Sequence, residues 1–196
     1  MGKRPQILAL ACSPRTGGNS EILLDRLIEG ATEGGANVEK LHVPRLTIAG
    51  CVECNGCFGH GYCVVEDDFQ HVATKITDAD RVVIATPVFF MAPSAQAKAM
   101  IDRCQSFWAR KYVLKAPLKE ESSELERRGV WISVGGTRGV KLFDGIKLTM
   151  EYFFDAIYIS SYVDVKAWHA DAKGEILKQQ DVLREAHEKG VELAKP

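Results

Sequence analysis

Apolar runs alternate with helical periods along the whole chain, and that alternation leaves few folds open. Residues 7–11 (ILALA), 81–86 (RVVIAT) and 130–134 (VWISV) carry little polar alternation, the pattern of parallel strands covered on both faces. Residues 38–43 are more polar and read as a strand nearer a sheet edge; a fifth strand is expected over about 157–165. Helical spacing fills the intervals. Leu23, Leu24, Leu27, Ile28 and Ala31 form one face of a helix over 20–34, stopped by Gly34 and Gly35. Further helices are expected from Asp67 or Asp68 to about 77, and over about 95–107, 143–154 and 175–195. The pattern predicts one α/β domain over 1–196, a doubly wound five-stranded parallel sheet with helices on both faces. A chain of 196 residues is long enough to fill it.

Composition excludes several function classes. A formal charge of −1 provides no global basic field for nucleic acid or an anionic membrane. No apolar run approaches a membrane span. The opening MGKRPQ leads directly into the first strand, so a signal peptide is not expected and the cytoplasm is the expected compartment. The charged stretch KEESSELERR, within a connection over 108–128, reads as solvated surface.

Ligands of such sheets bind beyond the carboxyl ends of the strands. Three loops fall there: 13–20, 87–94 and 135–139. The first collects the hydroxyls of Ser13, Thr16 and Ser20, the Asn19 amide, the Arg15 guanidinium, Gly17 and Gly18, and the free N–H groups of a helix start. Those groups suit a terminal monophosphate; the plain alternative is a turn capped by Asn19 or Ser20. Neither GxGxxG nor GxxxxGK[ST] is present, which argues against a dinucleotide site or a nucleoside triphosphatase. The second loop, with Pro87, Val88, Phe89, Phe90 and Met91, is apolar where a loop should be polar. It forms either a flat wall for an aromatic ring or a packing surface for the core or a subunit interface. Gly135 and Gly136 let backbone approach such a ring. A monophosphate at one end and a flat heteroaromatic at the other describe flavin mononucleotide (FMN).

SPRTGGNS after the first strand, TPVFF after the third and SVGGTRG after the fourth resemble the NADPH-dependent FMN reductase group of flavodoxin-like proteins. AMIDR (99–103) also matches, and the resemblance covers nearly the whole chain. It implies phosphate contacts from Ser13, Arg15, Gly18, Asn19 and Ser20, with Thr16 in the same loop. It implies isoalloxazine and ribityl contacts from Pro87, Val88, Phe89, Phe90 and Met91, and from Gly135, Gly136 and Thr137. Phe89 and Phe90 depart from many relatives, which carry Tyr or Trp there.

Of six cysteines, four lie within thirteen residues in a glycine-rich excursion over about 44–67. The spacing Cys51-x2-Cys54-x2-Cys57-x5-Cys63 can wrap three corners of a cubane and close the fourth. Zinc sites more often split their ligands into two separated pairs, and unligated thiols are a third reading. The motif is similar to that of the iron–sulfur flavoprotein branch, which implies one [4Fe–4S] cluster on Cys51, Cys54, Cys57 and Cys63. Cys12 and Cys104 read as buried, inert thiols. His60 reads as solvated, and His42, His71, His169 and His187 as surface or structural.

Flavin would carry the chemistry, so no catalytic side chain is expected. The expected function is an FMN-dependent oxidoreductase passing electrons from NAD(P)H or a ferredoxin-type partner, through FMN and the cluster, to an acceptor. A substrate-free electron carrier, an NAD(P)H:FMN or quinone reductase without a cluster, and a zinc-stabilised binding module remain alternatives. The resemblance also implies a homo-oligomer, dimer or tetramer, with the cluster of one subunit approaching a neighbour's flavin. Trp108, Arg110, Lys111 and Tyr112 would line that interface or a plain exposed connection.

Overall fold

The computed structural model describes residues 4–119 and 125–196. Five strands, β1 (Gln6–Ala11), β2 (Asn37–His42), β3 (Arg81–Pro87), β4 (Arg128–Val134) and β5 (Ser161–Ala167), pair in parallel in the order β2-β1-β3-β4-β5. This is the order of the flavodoxin fold, whose switch point lies between β1 and β3. The period-two alternation of β1 sends Leu8 and Leu10 to one face and Ile7, Ala9 and Ala11 to the other. The first face packs on α2 (Phe69–Asp78), α3 (Ala95–Arg103) and α5 (Asp144–Ala156); the second packs on α1 (Asn19–Glu33) and α6 (Gln180–Leu193). The three central strands are buried on both sides, which is why their sequences lack polar alternation.

Helices α1 and α6 approach until backbones touch. A Cβ at Gly190 would lie 2.0 Å from Leu27 O, and one at Gly30 would lie 2.1 Å from His187 O. Alanine in an unconstrained helix is worth up to about 1 kcal/mol over glycine, but backbone oxygens cannot yield as a side-chain tip can. Gly190→Ala is therefore expected to lose roughly 2 kcal/mol of stability, read from the midpoint of urea unfolding. An unchanged or raised midpoint would refute the close approach.

Several segments differ from the sequence expectation. Ile157 and Ile159 are buried but belong to no strand: they end α5, with Ile159 N–H bonded to Phe154 O and Tyr158 left-handed at φ 63°. The apolar alternation there serves a helix stop, so β5 starts only at Ser161. The helix after β3 does not end near 107. It breaks at Cys104, continues as α4 (Gln105–Trp108) and widens into a π-helical turn, Ala109–Val113. Lys111 and Tyr112 both reach Asp155 of α5 there, a long-range partnership with no local signature. The charge run is not all solvated. Arg127 donates to Ile76 O and Ile157 O, and burial lowers its pKa to about 10; residues 120–124 of the run lie outside the described residues. The last helix is preceded by a 3-10 turn, Glu175–Lys178. At α2, Asp67 rather than Asp68 receives the helical N–H, that of Phe69.

Candidate functional site

Two clefts carry most of the residues singled out in the sequence. The first, about 440 Å³, opens at the carboxyl ends of β1, β3, β4 and β5. Its lining takes Ser13, Arg15, Gly18, Asn19 and Ser20 from the first loop, Pro87, Val88 and Phe89 from the second, and Gly136 from the third. The three loops meet. Pro14, Val134, Ala170 and Asp171 also line it.

The first loop is built by its own hydroxyl. Ser13 Oγ accepts the Arg15 N–H and donates to Arg15 O, and Gly18 N–H closes the turn onto Arg15 O. Gly17 is left-handed at φ 63°, and its N–H donates to Glu21 Oε2 at 2.7 Å. Helix α1 then starts at Asn19, and its first internal bond runs from Ile22 N–H to Gly18 O. The N–H groups of Asn19, Ser20 and Glu21 precede that bond and form the positive end of the helix. The Asn19 side chain neither caps the helix nor points a donor at the cleft. Its Nδ2 donates to Ala170 O and Ala172 O, while Oδ1 accepts from Gly174 and Ile176. Asn19 thus ties the loop after β5 to the first loop, leaving only its backbone N–H for a ligand.

Glu21 and Lys173 were not singled out in the sequence. A glutamate at the third helical position commonly reaches back to the turn, so Glu21 was legible. Lys173, whose ammonium lies within 3.3 Å of where a Gly17 Cβ would stand, was not, because only the fold brings it there. Burial opposes ionisation of Glu21, but the Lys40 ammonium and the Gly17 N–H outweigh it and, with His42, hold its pKa below 4.5. A depressed carboxyl pKa contributes stability above the unfolded value and loses it as pH falls through the folded one. Glu21→Gln should therefore unfold with a shallower pH dependence than wild type below about 4.5, measured by thermal melts from pH 6 to 3. Parallel curves would remove Glu21 from the loop's stability.

The aromatic wall continues the sheet. Val88 N–H donates to Val134 O, and Ser133 Oγ donates to Thr86 O. Ser94 caps α3 and donates to Cys12 O at 2.6 Å, pinning the second loop to the first. Phe89 and Ala92 exchange both backbone bonds. The turn between them puts Phe90 and Met91 left-handed, at φ 48° and 61°, a conformation that is strained in bulky residues. That turn sends the Phe90 side chain fully into solvent and leaves Met91 exposed, so neither lines the cleft. Thr16 and Thr137 are exposed outside the lining. Gly135 is taken up by the β4–β5 ladder, donating to Ala167 O and accepting from Ala170.

The second cleft, about 370 Å³, is lined by Cys51, Cys54, Cys57 and Cys63, with Asp102 and Arg103 from α3. Glu53 and Asn55 are left-handed, at φ 53° and 56°, so that the short segment folds back on itself. Burial holds the Cys57 thiol above its ordinary value, and the three other sulfurs push it the same way. Asp67 accepts from Ala49 N–H, and Gln70 donates to Cys63 O and Val65 O, so the stems of the loop are joined. Among the described residues no three His, Cys, Asp or Glu side chains converge on a metal-sized point: the four thiols share a cleft without closing on one centre. Cys12 and Cys104 are buried elsewhere, and burial pushes both thiols up. Trp108 lies beside the cysteine loop, its ring 6.2 Å from Phe58 and 5.6 Å from Tyr112. Arg110 bonds to Pro117 O and Lys111 pairs with Asp155. No helix among the described residues is long and apolar enough to cross a membrane.

Comparison with known proteins agrees with this geometry. The profile of the NADPH-dependent FMN reductase family matches residues 5–167. An iron-sulfur flavoprotein of Methanosarcina thermophila is 28% identical over 160 residues, covering 82% of this chain and 76% of that protein. An iron-sulfur flavoprotein of Archaeoglobus fulgidus is 35% identical over 91 residues, 46% of this chain but only 41% of that protein. The chain thus aligns with less than half the length of that second relative. Among solved structures, an NAD(P)H:quinone oxidoreductase from Methanothermobacter marburgensis superposes with a TM-score of 0.73 at 16% identity, covering 99% of each chain. That likeness is one of fold.

Proposed function

Because the chain belongs to the NADPH-dependent FMN reductase family, whose members are flavin-dependent oxidoreductases, we propose that it holds FMN in the first cleft and a [4Fe–4S] cluster on the four cysteines, and passes electrons between a reduced donor and an acceptor. The observation that carries the flavin half is the meeting of a helix start and an apolar wall in one cleft. The N–H groups of Asn19 and Ser20, the Ser20 hydroxyl, that of Ser13 once it turns from Arg15 O, and the cations Arg15 and Lys173 would hold the phosphate. Pro87, Val88 and Phe89 would lie against the ring and exclude water from it, with Gly136 at its polar edge. FMN, when bound, supplies exchange of one or two electrons. No side chain need act as a nucleophile or general base.

The cysteine cleft supports the cluster half. A tetrahedral zinc centre with bonds of about 2.3 Å needs sulfurs about 3.8 Å apart, whereas each thiolate of a cubane binds a different iron and stands further from its neighbours. Four thiols lining one cleft supply one ligand for each iron of such a cubane. The cluster, when bound, supplies single-electron storage. The relatives named iron-sulfur flavoprotein point the same way. A homo-oligomer contact at Phe58, Trp108 and Tyr112, exposed rings beside the cysteine loop, would bring this site toward a second subunit.

The test is the visible spectrum of anaerobically purified protein, with flavin, iron and sulfide counted per chain. Flavin bands over a broad cluster absorption are expected, with four irons per flavin if loading is complete. Steady-state turnover with NADPH, NADH and reduced ferredoxin then identifies the donor. Protein without flavin would end the oxidoreductase reading, and flavin with stoichiometric zinc would end the cluster reading.

A further inference from the structure

Arg103 closes α3 with its side chain entirely buried beneath the cysteine loop. A guanidinium has five N–H donors in a fixed fork, and here all five are engaged. Nη1 donates to Asp67 Oδ2 at 2.7 Å and to Ala49 O at 2.9 Å; Nη2 donates to Val65 O at 2.8 Å and to Asp67 Oδ1 at 3.2 Å. The fifth donor, Nε, reaches Cys63 Sγ at 3.1 Å. The guanidinium carbon also stands 4.8 Å from the centre of the Phe69 ring, which fixes its plane.

These bonds have a direction. Ala49 lies just before Cys51, while Val65 and Asp67 lie just after Cys63, so one side chain joins both stems of the loop and grips its last cysteine. A neutral thiol is a weak acceptor, and a buried cation gains little by facing one. A thiolate is a strong partner, because charge-assisted bonds are roughly twice as strong as neutral ones. Asp67 already balances the arginine's charge, so the bond to sulfur is an addition to a complete ion pair. The arrangement is therefore built for an anionic sulfur at position 63. Helix α3 is also the element whose other end, through Ser94 and Cys12, supports the flavin cleft. Nine residues of helix, about 13 Å, separate the two anchor points.

Resting on the cluster reading above, we propose that Arg103 is the positioning residue of the metal centre: four of its N–H groups lock the stems of the cysteine loop, and its Nε–H holds Cys63 Sγ as the fixed corner and favours the reduced cluster. The bond to sulfur has a consequence that a purely structural role lacks. An N–H donor to a ligand sulfur stabilises the more negative, reduced state, so its loss lowers the midpoint potential.

The experiment compares wild type with Arg103→Lys and Arg103→Gln after anaerobic reconstitution with ferrous iron and sulfide. Iron and sulfide per chain, bound FMN, and the cluster's midpoint potential are measured. The lysine ammonium can pair with Asp67 but lacks a planar fork to reach Cys63 at the same time. Arg103→Lys is expected to keep FMN and load a cluster whose midpoint potential is lower than that of wild type. Arg103→Gln leaves Asp67 unpaired, and its iron content should fall about tenfold or more. A lysine variant with the wild-type potential, or a glutamine variant with full iron and that potential, overturns it. Wild-type protein that takes up no iron fails earlier and differently, because it removes the cluster itself.

Discussion

Cys54→Ser protein, purified without air, will show the absorption of bound FMN without the broad cluster absorption, and its iron per chain will fall at least about tenfold. Each corner of a cubane needs its own thiolate, and a serine hydroxyl does not ionise at neutral pH to replace it. Cys54 is exposed on the loop, so the substitution should leave stability within about 0.5 kcal/mol of wild type and the flavin cleft undisturbed. Cys104→Ser is the contrasting variant. It sits in the core under α3 and α5, where burial keeps its thiol protonated. Its loss should cost stability while leaving iron content unchanged. Iron retained in Cys54→Ser, or lost in Cys104→Ser, would show that the cysteines have been assigned to the wrong roles.

The second large effect is expected at Ser13. Aspartate there loses the bond to Arg15 O but can still accept the Arg15 N–H that builds the turn, and Gly18 N–H still closes it, so the loop should keep its shape. It would, however, set a carboxylate against the phosphate. Two unit charges about 4 Å apart interact by about 4 kcal/mol at an effective dielectric constant of 20. At about 1.4 kcal/mol per decade, FMN should bind roughly 10²- to 10³-fold more weakly. Riboflavin shares the ring system and lacks the phosphate, so its affinity should hardly change. Fluorescence titration of the apoprotein with each flavin separates the cases. Equal losses for both would mean that the loop had collapsed; no loss for FMN would remove the phosphate from this loop.

Strands β1, β3 and β4 could be read from residue order because their burial is written locally, as apolar runs without a polar face. Their alternation with helices left the doubly wound sheet as the simplest solution, and the loops at their carboxyl ends followed from it. The cysteine spacing was equally legible, because four ligands in one short segment are visible without knowing the fold. Ile157 and Ile159 misled because a helix stop and a strand can bury the same residues; only the left-handed Tyr158 tells them apart. Phe90 and Met91 looked like part of the wall beside Phe89, yet a two-residue turn faces them outward.

What residue order determined by itself was the layered α/β architecture, the hydroxyl-rich first loop and the cysteine motif, all of which depend on neighbours within a few positions. The tertiary structure alone decided that Asn19 clamps the loop after β5, that Lys173 stands beside Gly17, and that Arg103 grips Cys63 from forty residues away. The reason is physical. Hydrogen bonds and charges act over a few ångströms of space, and which distant side chains come within that range is known only once the sheet has brought its loops together.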